Sequence, residues 1–315
     1  NNGRLKIDWF RNKHIEEVKT EYQQLLKPDI VNSVSGLSLI SRVIVDGYLN
    51  GLNSSRRVGA GMEFSQYRGY EPGDDLRRLD WKMLARSGRY YIKQSEIETN
   101  IAVKFIVDSS KSMLHEEDGI SKMDYVKVLV ASLAHLCQNQ GDAVGLFALN
   151  NQNLRSVFPR VQKQPFNRLL LELINIKSQG KWPDDPAIVE KIHNRGEKEM
   201  IIFISDMYEK SAEITNLIKR LKTSRNEVVL FQVIGKNEMD FDYKGTLTFE
   251  DLETGKRIKI DSAKAKTDYL QALEKSLATI KNELLARDIS YELFRMDENI
   301  GQLLQTFLKK RNRLI

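Results

Sequence analysis

Asp108, Ser110 and Ser112 alternate along the segment Asp108-Ser109-Ser110-Lys111-Ser112-Met113. In an extended turn that spacing aims one carboxylate and two hydroxyls at a common point, and three hard oxygen donors suit Mg²⁺ or a similar divalent ion. A distant stretch offers another oxygen donor, because the apolar run Glu199-Met200-Ile201-Ile202-Phe203-Ile204 ends in Ser205-Asp206. Two apolar runs that each stop at an aspartate define a composite site more sharply than either does alone. The plainer reading is that both carboxylates cap the helices that follow them, a place where Asp and Ser are favoured.

The elements that must position these groups are legible from periodicity. Ile101 to Val107 is rich in β-branched residues and reads as a buried parallel strand. Its polar carboxyl end is where open α/β sheets place ligand sites. Helical spacing follows over 123–138, then a strand over 143–149, a crossover of βαβ type. Helices over 165–174 and 187–193 precede the run that ends at Asp206. A helix over 211–222, a strand over 228–234, a helix over 263–286, a strand over 290–294 and a helix over 300–309 complete the alternation. This rhythm predicts an α/β, Rossmann-like fold, a mostly parallel sheet with helices on both faces. One insertion near 244–260 interrupts it: 245–250 and 256–260 flank Glu253-Thr254-Gly255 and read as a β-hairpin, a peripheral decoration open to partner contact.

Ahead of this lies a region of different character. Residues 14–27 have helical spacing and stop at Pro28, and the glycine-containing pieces from 54 to 70 suggest short strands and tight turns. In the run from Arg68 to Arg86, Pro72-Gly73 signals a turn and Asp74-Asp75 is placed to cap a helical piece starting near Leu76. Arg68, Tyr70, Asp74, Asp75, Arg77, Asp80 and Arg86 supply the materials of an ion-pair network, with Trp81 as apolar anchor, and a structural staple is the preferred reading over a ligand site. Tyr90 to Lys93 reads as a strand. The expected division is a small N-terminal α+β subdomain, 1–98, and a larger domain, 99–315.

Asp108, Ser110, Ser112 and Asp206 resemble the metal-ion-dependent adhesion site (MIDAS) of von Willebrand factor A domains. The resemblance implies a divalent ion, Mg²⁺ or else Mn²⁺ or Ca²⁺, whose open position takes a partner's carboxylate. A middle-loop threonine of that family has no clear match here. Either Asp184 or Asp185, in Gln179-Gly180-Lys181-Trp182-Pro183-Asp184-Asp185, replaces it, or the site is incomplete. Phe64, then Arg68-x-Tyr70-x-Pro72-Gly73-Asp74-Asp75-x-Arg77-x-x-Asp80-Trp81 and Ala85-Arg86, ahead of Val107-Asp108-x-Ser110-x-Ser112-Met113, strongly resembles the bacterial domain of unknown function 58. That resemblance extends through Tyr269 to the closing helix and Arg311. It implies a von Willebrand A-like domain, cytoplasmic or membrane-tethered, often encoded beside MoxR-type AAA+ ATPases.

Composition bounds the function. The 315 residues, 41% hydrophobic and 29% charged, belong to a globular chain with core enough for one large domain or two modest ones. The net charge of +6, from 49 basic and 43 acidic residues, permits acidic partners without indicating nucleic acid. The basic run Lys309-Lys310-Arg311-Asn312-Arg313 has no interleaved aromatic residues and reads as a solvated helix end. The single Cys137 excludes an internal disulfide and fits a reducing compartment. His14, His115, His135 and His193 have no zinc-like spacing. The first residues lack the apolar core of a signal peptide, and Lys127, His135 and Gln232 break the longest apolar runs, so a cytoplasmic, non-spanning protein is expected. Gly59-x-Gly61 lacks the Lys-Ser/Thr of a phosphate loop, which assigns any ATP chemistry to a partner.

Three functions follow. The first is a non-enzymatic binding module in which Asp108 anchors the ion directly or through water, Ser110 and Ser112 ligate it, Asp206 orients water, and the partner is an acidic protein residue, with a MoxR-type ATPase as co-worker. The second is a Mg²⁺-dependent phosphohydrolase with Asp108 as nucleophile. Such enzymes need a second carboxylate two residues on, where this chain has Ser110. The third is a metal-free scaffold.

Overall fold

The computed structural model describes residues 26–49, 66–69, 81–94, 101–159, 166–183, 192, 199–209 and 212–312. They belong to two compact units, one built from residues 1–50 with 101–315 and the other from 51–100. The boundary expected at residue 98 therefore falls differently: the segment around residues 28–49 joins the larger unit. The reason is apolar burial. Helices α1 (Pro28–Val31) and α2 (Val34–Ile44, extended by a π-helical turn Val45–Leu49) bury Val31, Leu37, Ile40 and Ile44 in the same core as the long helix described below. Ser33 starts α2 by accepting the Gly36 amide on its side chain, a capping interaction of about 1 kcal/mol.

In the smaller unit, β1 (Gln66–Gly69) pairs antiparallel with β2 (Tyr91–Gln94), and α3 (Trp81–Ser87) lies between them in sequence. Trp81 is 64% exposed, so it is not the apolar anchor expected of it. Arg68 falls in β1 and Arg86 is exposed in the last turn of α3. Tyr70, Asp74, Asp75, Arg77 and Asp80 lie outside the described residues, as do, but for Leu26, Lys27 and Ile192, the expected helices at 14–27 and 187–193.

The larger unit begins with β3 (Ala102–Asp108), every residue of which is buried. A 3₁₀ turn (Lys111–Leu114) leads into a small hairpin, β4 (Glu116–Glu117) and β5 (Ile120–Ser121). Both residues of its turn, Asp118 (φ 53°) and Gly119 (φ 78°), have positive φ, as an Asp-Gly turn of this kind requires. Then come α4 (Lys122–Asn139), β6 (Ala143–Leu149), β7 (Leu154–Val157), α5 (Phe166–Ile174), β8 (Glu199–Ser205) and α6 (Glu213–Leu221). They are followed by β9 (Asn226–Ile234), α7 (Lys236–Asp240), the hairpin β10 (Thr246–Glu250) and β11 (Arg257–Asp261), α8 (Ser262–Leu285), β12 (Ser290–Arg295) and α9 (Ile300–Asn312).

Six strands form one sheet in the order β12-β9-β8-β3-β6-β7, parallel except for β7, which runs antiparallel to β6 at the edge. Counted along the chain this is the doubly wound order 3-2-1-4-5-6, whose direction of winding reverses between its first and fourth strands. Those are β3 and β8, the two that end at Asp108 and just before Asp206. Strand alternation divides the apolar residues into two cores, one per face. Val103, Phe105 and Val107 pack with α2, α4 and α5, while Ile106 packs with Phe203, Ile218 and Leu284 on the other face. Lys104, 1% exposed in the middle of β3, donates to Ile192 O (2.9 Å) and pairs with Glu199 on β8. Among the described residues no helix is long and apolar enough to cross a membrane.

Candidate functional site

The carboxyl ends of β3 and β8 bring the sequence-designated residues together. Asp108, 1% exposed, accepts the Ser110 amide on Oδ1 (2.9 Å) and the Ser205 hydroxyl on Oδ2 (2.8 Å). The Ser110 and Ser112 hydroxyls lie 2.9 Å apart, and Ser112 donates to Asp206 Oδ1 (3.2 Å). A single proton chain thus runs Ser110 to Ser112 to Asp206. After β8 the chain turns at Met207, whose φ of 59° is uncommon for a residue with a side chain, and the strained turn buries Met207 in the second core.

Neighbouring loops hold this arrangement. Asn150 donates to Ser109 O (3.1 Å) and caps the turn into β7 by accepting the Gln152 and Asn153 amides. The segment 179–180 also clasps the site loop, Gln179 N–H donating to Ser109 O and Lys111 N–H to Gly180 O, both at 3.0 Å. Gly180 has φ +64°, and a Cβ there would lie 2.0 Å from Asn151 Oδ1. Asp184 and Asp185, the suggested replacements for the absent threonine, lie outside the described residues.

Lys122 is the residue that sequence reasoning missed. Its buried ammonium, at the first position of α4, donates to Asp206 Oδ2 (3.0 Å) and Glu238 Oε1 (2.8 Å). Burial alone would pull its pKa down, but the two carboxylates outweigh burial and hold it above the ordinary lysine value. Beyond it, Glu238 caps α7 through the Gly235 amide (2.7 Å), and Glu117 accepts the Asn237 amide and contacts His115 Nε2 (3.1 Å). His115, Glu117 and Glu238 each place one ligand atom within 4.8 Å of the others, a grouping that linear spacing gave no sign of. Lys122 and the amides of Gly235 and Asn237 already engage its carboxylates, so its evident work is to tie β4 to α7.

Lys122 does not compensate the whole site. Burial, followed by the Asp206 charge, pushes the Asp108 carboxyl up to about 7. Glu253, from the loop between β10 and β11, is pushed to about 7 by burial and then by Asp108, Asp206 and Asp251. Its Oε1 is shut off from solvent and has no hydrogen-bond partner among the described residues. A buried oxygen-only donor set with surplus negative charge is what a hard divalent cation relieves, so the residues present fit such an ion. Held there, it would take oxygen donors from Asp108, Ser110 and Ser112 and supply a Lewis-acidic point for one more carboxylate.

The uncharacterized protein Rv1480 of Mycobacterium tuberculosis (strain ATCC 25618 / H37Rv) is 24% identical over 250 residues, 78% of each chain. The uncharacterized protein Mb1516 of Mycobacterium bovis matches to the same extent. Among solved structures, the conserved hypothetical protein BatB from Bacteroides thetaiotaomicron has a TM-score of 0.42 at 13% identity, over 68% of this chain and 99% of that one. An aerotolerance-related membrane protein from Bacteroides fragilis has 0.44 at 16%, over 68% and 100%. A family model described as "Protein of unknown function DUF58" matches residues 66–279, which span α/β core, site and hairpin alike, and the chain belongs to that family.

Proposed function

We propose that this protein is a non-enzymatic interaction module that captures an acidic side chain of a partner protein through a divalent ion, Mg²⁺ in the first instance. Ser110 and Ser112 bind the ion, Asp108 anchors it directly or through water, and Asp206, already the acceptor of the Ser112 hydroxyl, orients the surrounding donors. The observation that supports this most is the convergence of Asp108, Ser110, Ser112 and Asp206 at the point where the sheet reverses its winding, with negative charge left over. A carboxylate-binding role also accounts for Ser110 where a phosphohydrolase would need a second acid. The resemblance stated above nominates a MoxR-type AAA+ ATPase as co-worker, with assembly or maturation of other proteins as the task, and the single Cys137 fits a reducing, cytoplasmic setting.

The test is co-elution of this protein with a purified MoxR-type ATPase in Mg²⁺ and in chelator. Mg²⁺-dependent association that is lost in a folded Asp108→Ala variant is expected. Association that persists unchanged in chelator would overturn the ion-dependent reading and favour a metal-free scaffold.

A further inference from the structure

We propose that Glu253 is the chain's own carboxylate ligand for the ion at Asp108, Ser110 and Ser112, so that the β10–β11 hairpin occupies the site until a partner's acidic side chain displaces it. This inference rests on the ion-binding reading above and identifies what stands in the partner's place.

The hairpin is fastened in two places. At its base, Phe241 and Tyr243 pack on Phe249 of β10, and Phe241 also meets Tyr269 of α8 with ring centres 4.6 Å apart. At its tip, Tyr208, two residues beyond Asp206, stands within electrostatic reach of Asp251. Asp251 in turn accepts the amides of Glu253 (2.9 Å) and Thr254 (3.1 Å), which fixes the direction in which the tip points. Glu253 is thereby held within electrostatic reach of Asp108 and Asp206, whose charges outweigh the opposing charge of Lys181. One of its oxygens is buried without a donor among the described residues. A carboxylate so placed is repelled by its neighbours and leaves an acceptor unpaired, an arrangement that costs stability unless a cation lies among the oxygens. With a divalent cation held by Asp108, Ser110 and Ser112, and Asp206 orienting the surrounding donors, the unpaired oxygen of Glu253 fills the position that the partner's carboxylate would otherwise take.

The experiment is a Mn²⁺ titration, by calorimetry, of the full chain and of its Glu253→Gln, Glu253→Asp and Asp108→Ala variants, with amide exchange across 246–261 followed with and without Mn²⁺. The parent is expected to bind Mn²⁺ and to gain protection in the hairpin. Glu253→Gln and the shorter Glu253→Asp are expected to bind about tenfold more weakly or worse, without the gain in protection. Equal or tighter binding by Glu253→Gln, with hairpin exchange indifferent to Mn²⁺, overturns this inference and leaves the ion site standing. Binding unaffected in Asp108→Ala, or absent in the parent, overturns both. Since Glu253→Gln removes a repelled charge, its metal-free melting temperature should be no lower than the parent's; a lower one together with weak binding would mark a folding defect, and Glu253→Asp with parental melting then decides.

Discussion

Lys122 shows how much of the site depends on a residue that does not touch the proposed ion. Its ammonium joins the buried Asp206 to the half-buried Glu238. Lys122→Met keeps the volume and strands two acids, so a loss of roughly 3–5 kcal/mol is expected in urea unfolding, as for other broken buried pairs; a neutral effect would mean that the carboxylates relax into solvent. Asp108→Asn should act in the opposite sense. It preserves the shape that accepts the Ser110 amide and meets the Ser205 hydroxyl, while removing a buried charge that is held near 7 by burial and by Asp206. At pH 8 in chelator it should melt higher than the parent, and it should no longer bind Mn²⁺; a lower melting point would show that the charge is stabilising in the absence of metal. Asp108, Ser110, Ser112 and Asp206 were legible in the sequence because each stands at or just beyond the end of a buried strand. Lys122 was not, since a lysine in the first turn of a helix is ordinarily solvated, and only the fold brings residues 84 and 116 positions away to its side chain.

At the scale of elements, long stretches with a clear period fell where the sequence put them. The strand expected over 143–149 is β6, and the helix expected over 123–138 is α4 with one more residue at each end. The elements not foreseen are α1, α2, β4, β5, β7 and α7. All are short or adjoin a polar turn, and β7 is exposed over three of its four residues, so its pattern carries little of the apolar signal that marks the central strands. The hairpin was visible as a hairpin, but the packing of its base on α8 through the aromatic cluster around Phe241 was not. The loop at 179–180 makes a separate claim. Gly180→Ala would set a side chain against Asn151 in a conformation that favours glycine. It should cost about 1 kcal/mol or more, and quicken exchange of the Lys111 amide, which donates to Gly180 O. Unchanged exchange would detach this loop from the support of Asp108.

Over the whole molecule, the sheet order places the winding reversal between β3 and β8, and charge collects there. The resulting pH dependence has a definite sign. Asp108 ordinarily titrates near 3.8 and does so at about 7 when folded, so the folded state holds this proton more tightly. The contribution is fully present below 3.8 and is lost as pH rises through about 7. Thermal melting of metal-free protein should therefore show this site's share of stability decaying across that interval, with Mg²⁺ restoring it on the alkaline side; a site contribution that grows with pH in chelator would contradict the charge account. The alternation of strands and helices made the α/β class readable, whereas the membership of residues 28–49 in the larger unit was not, because the apolar face of α2 finds its partners about 90 positions away. The most direct test of the ion-binding claim is calorimetric titration of the full chain with Mg²⁺ and Mn²⁺ beside Asp108→Ala. Binding in the parent that disappears in a folded Asp108→Ala variant is predicted, and no binding in the parent, or equal binding in the two, would contradict it.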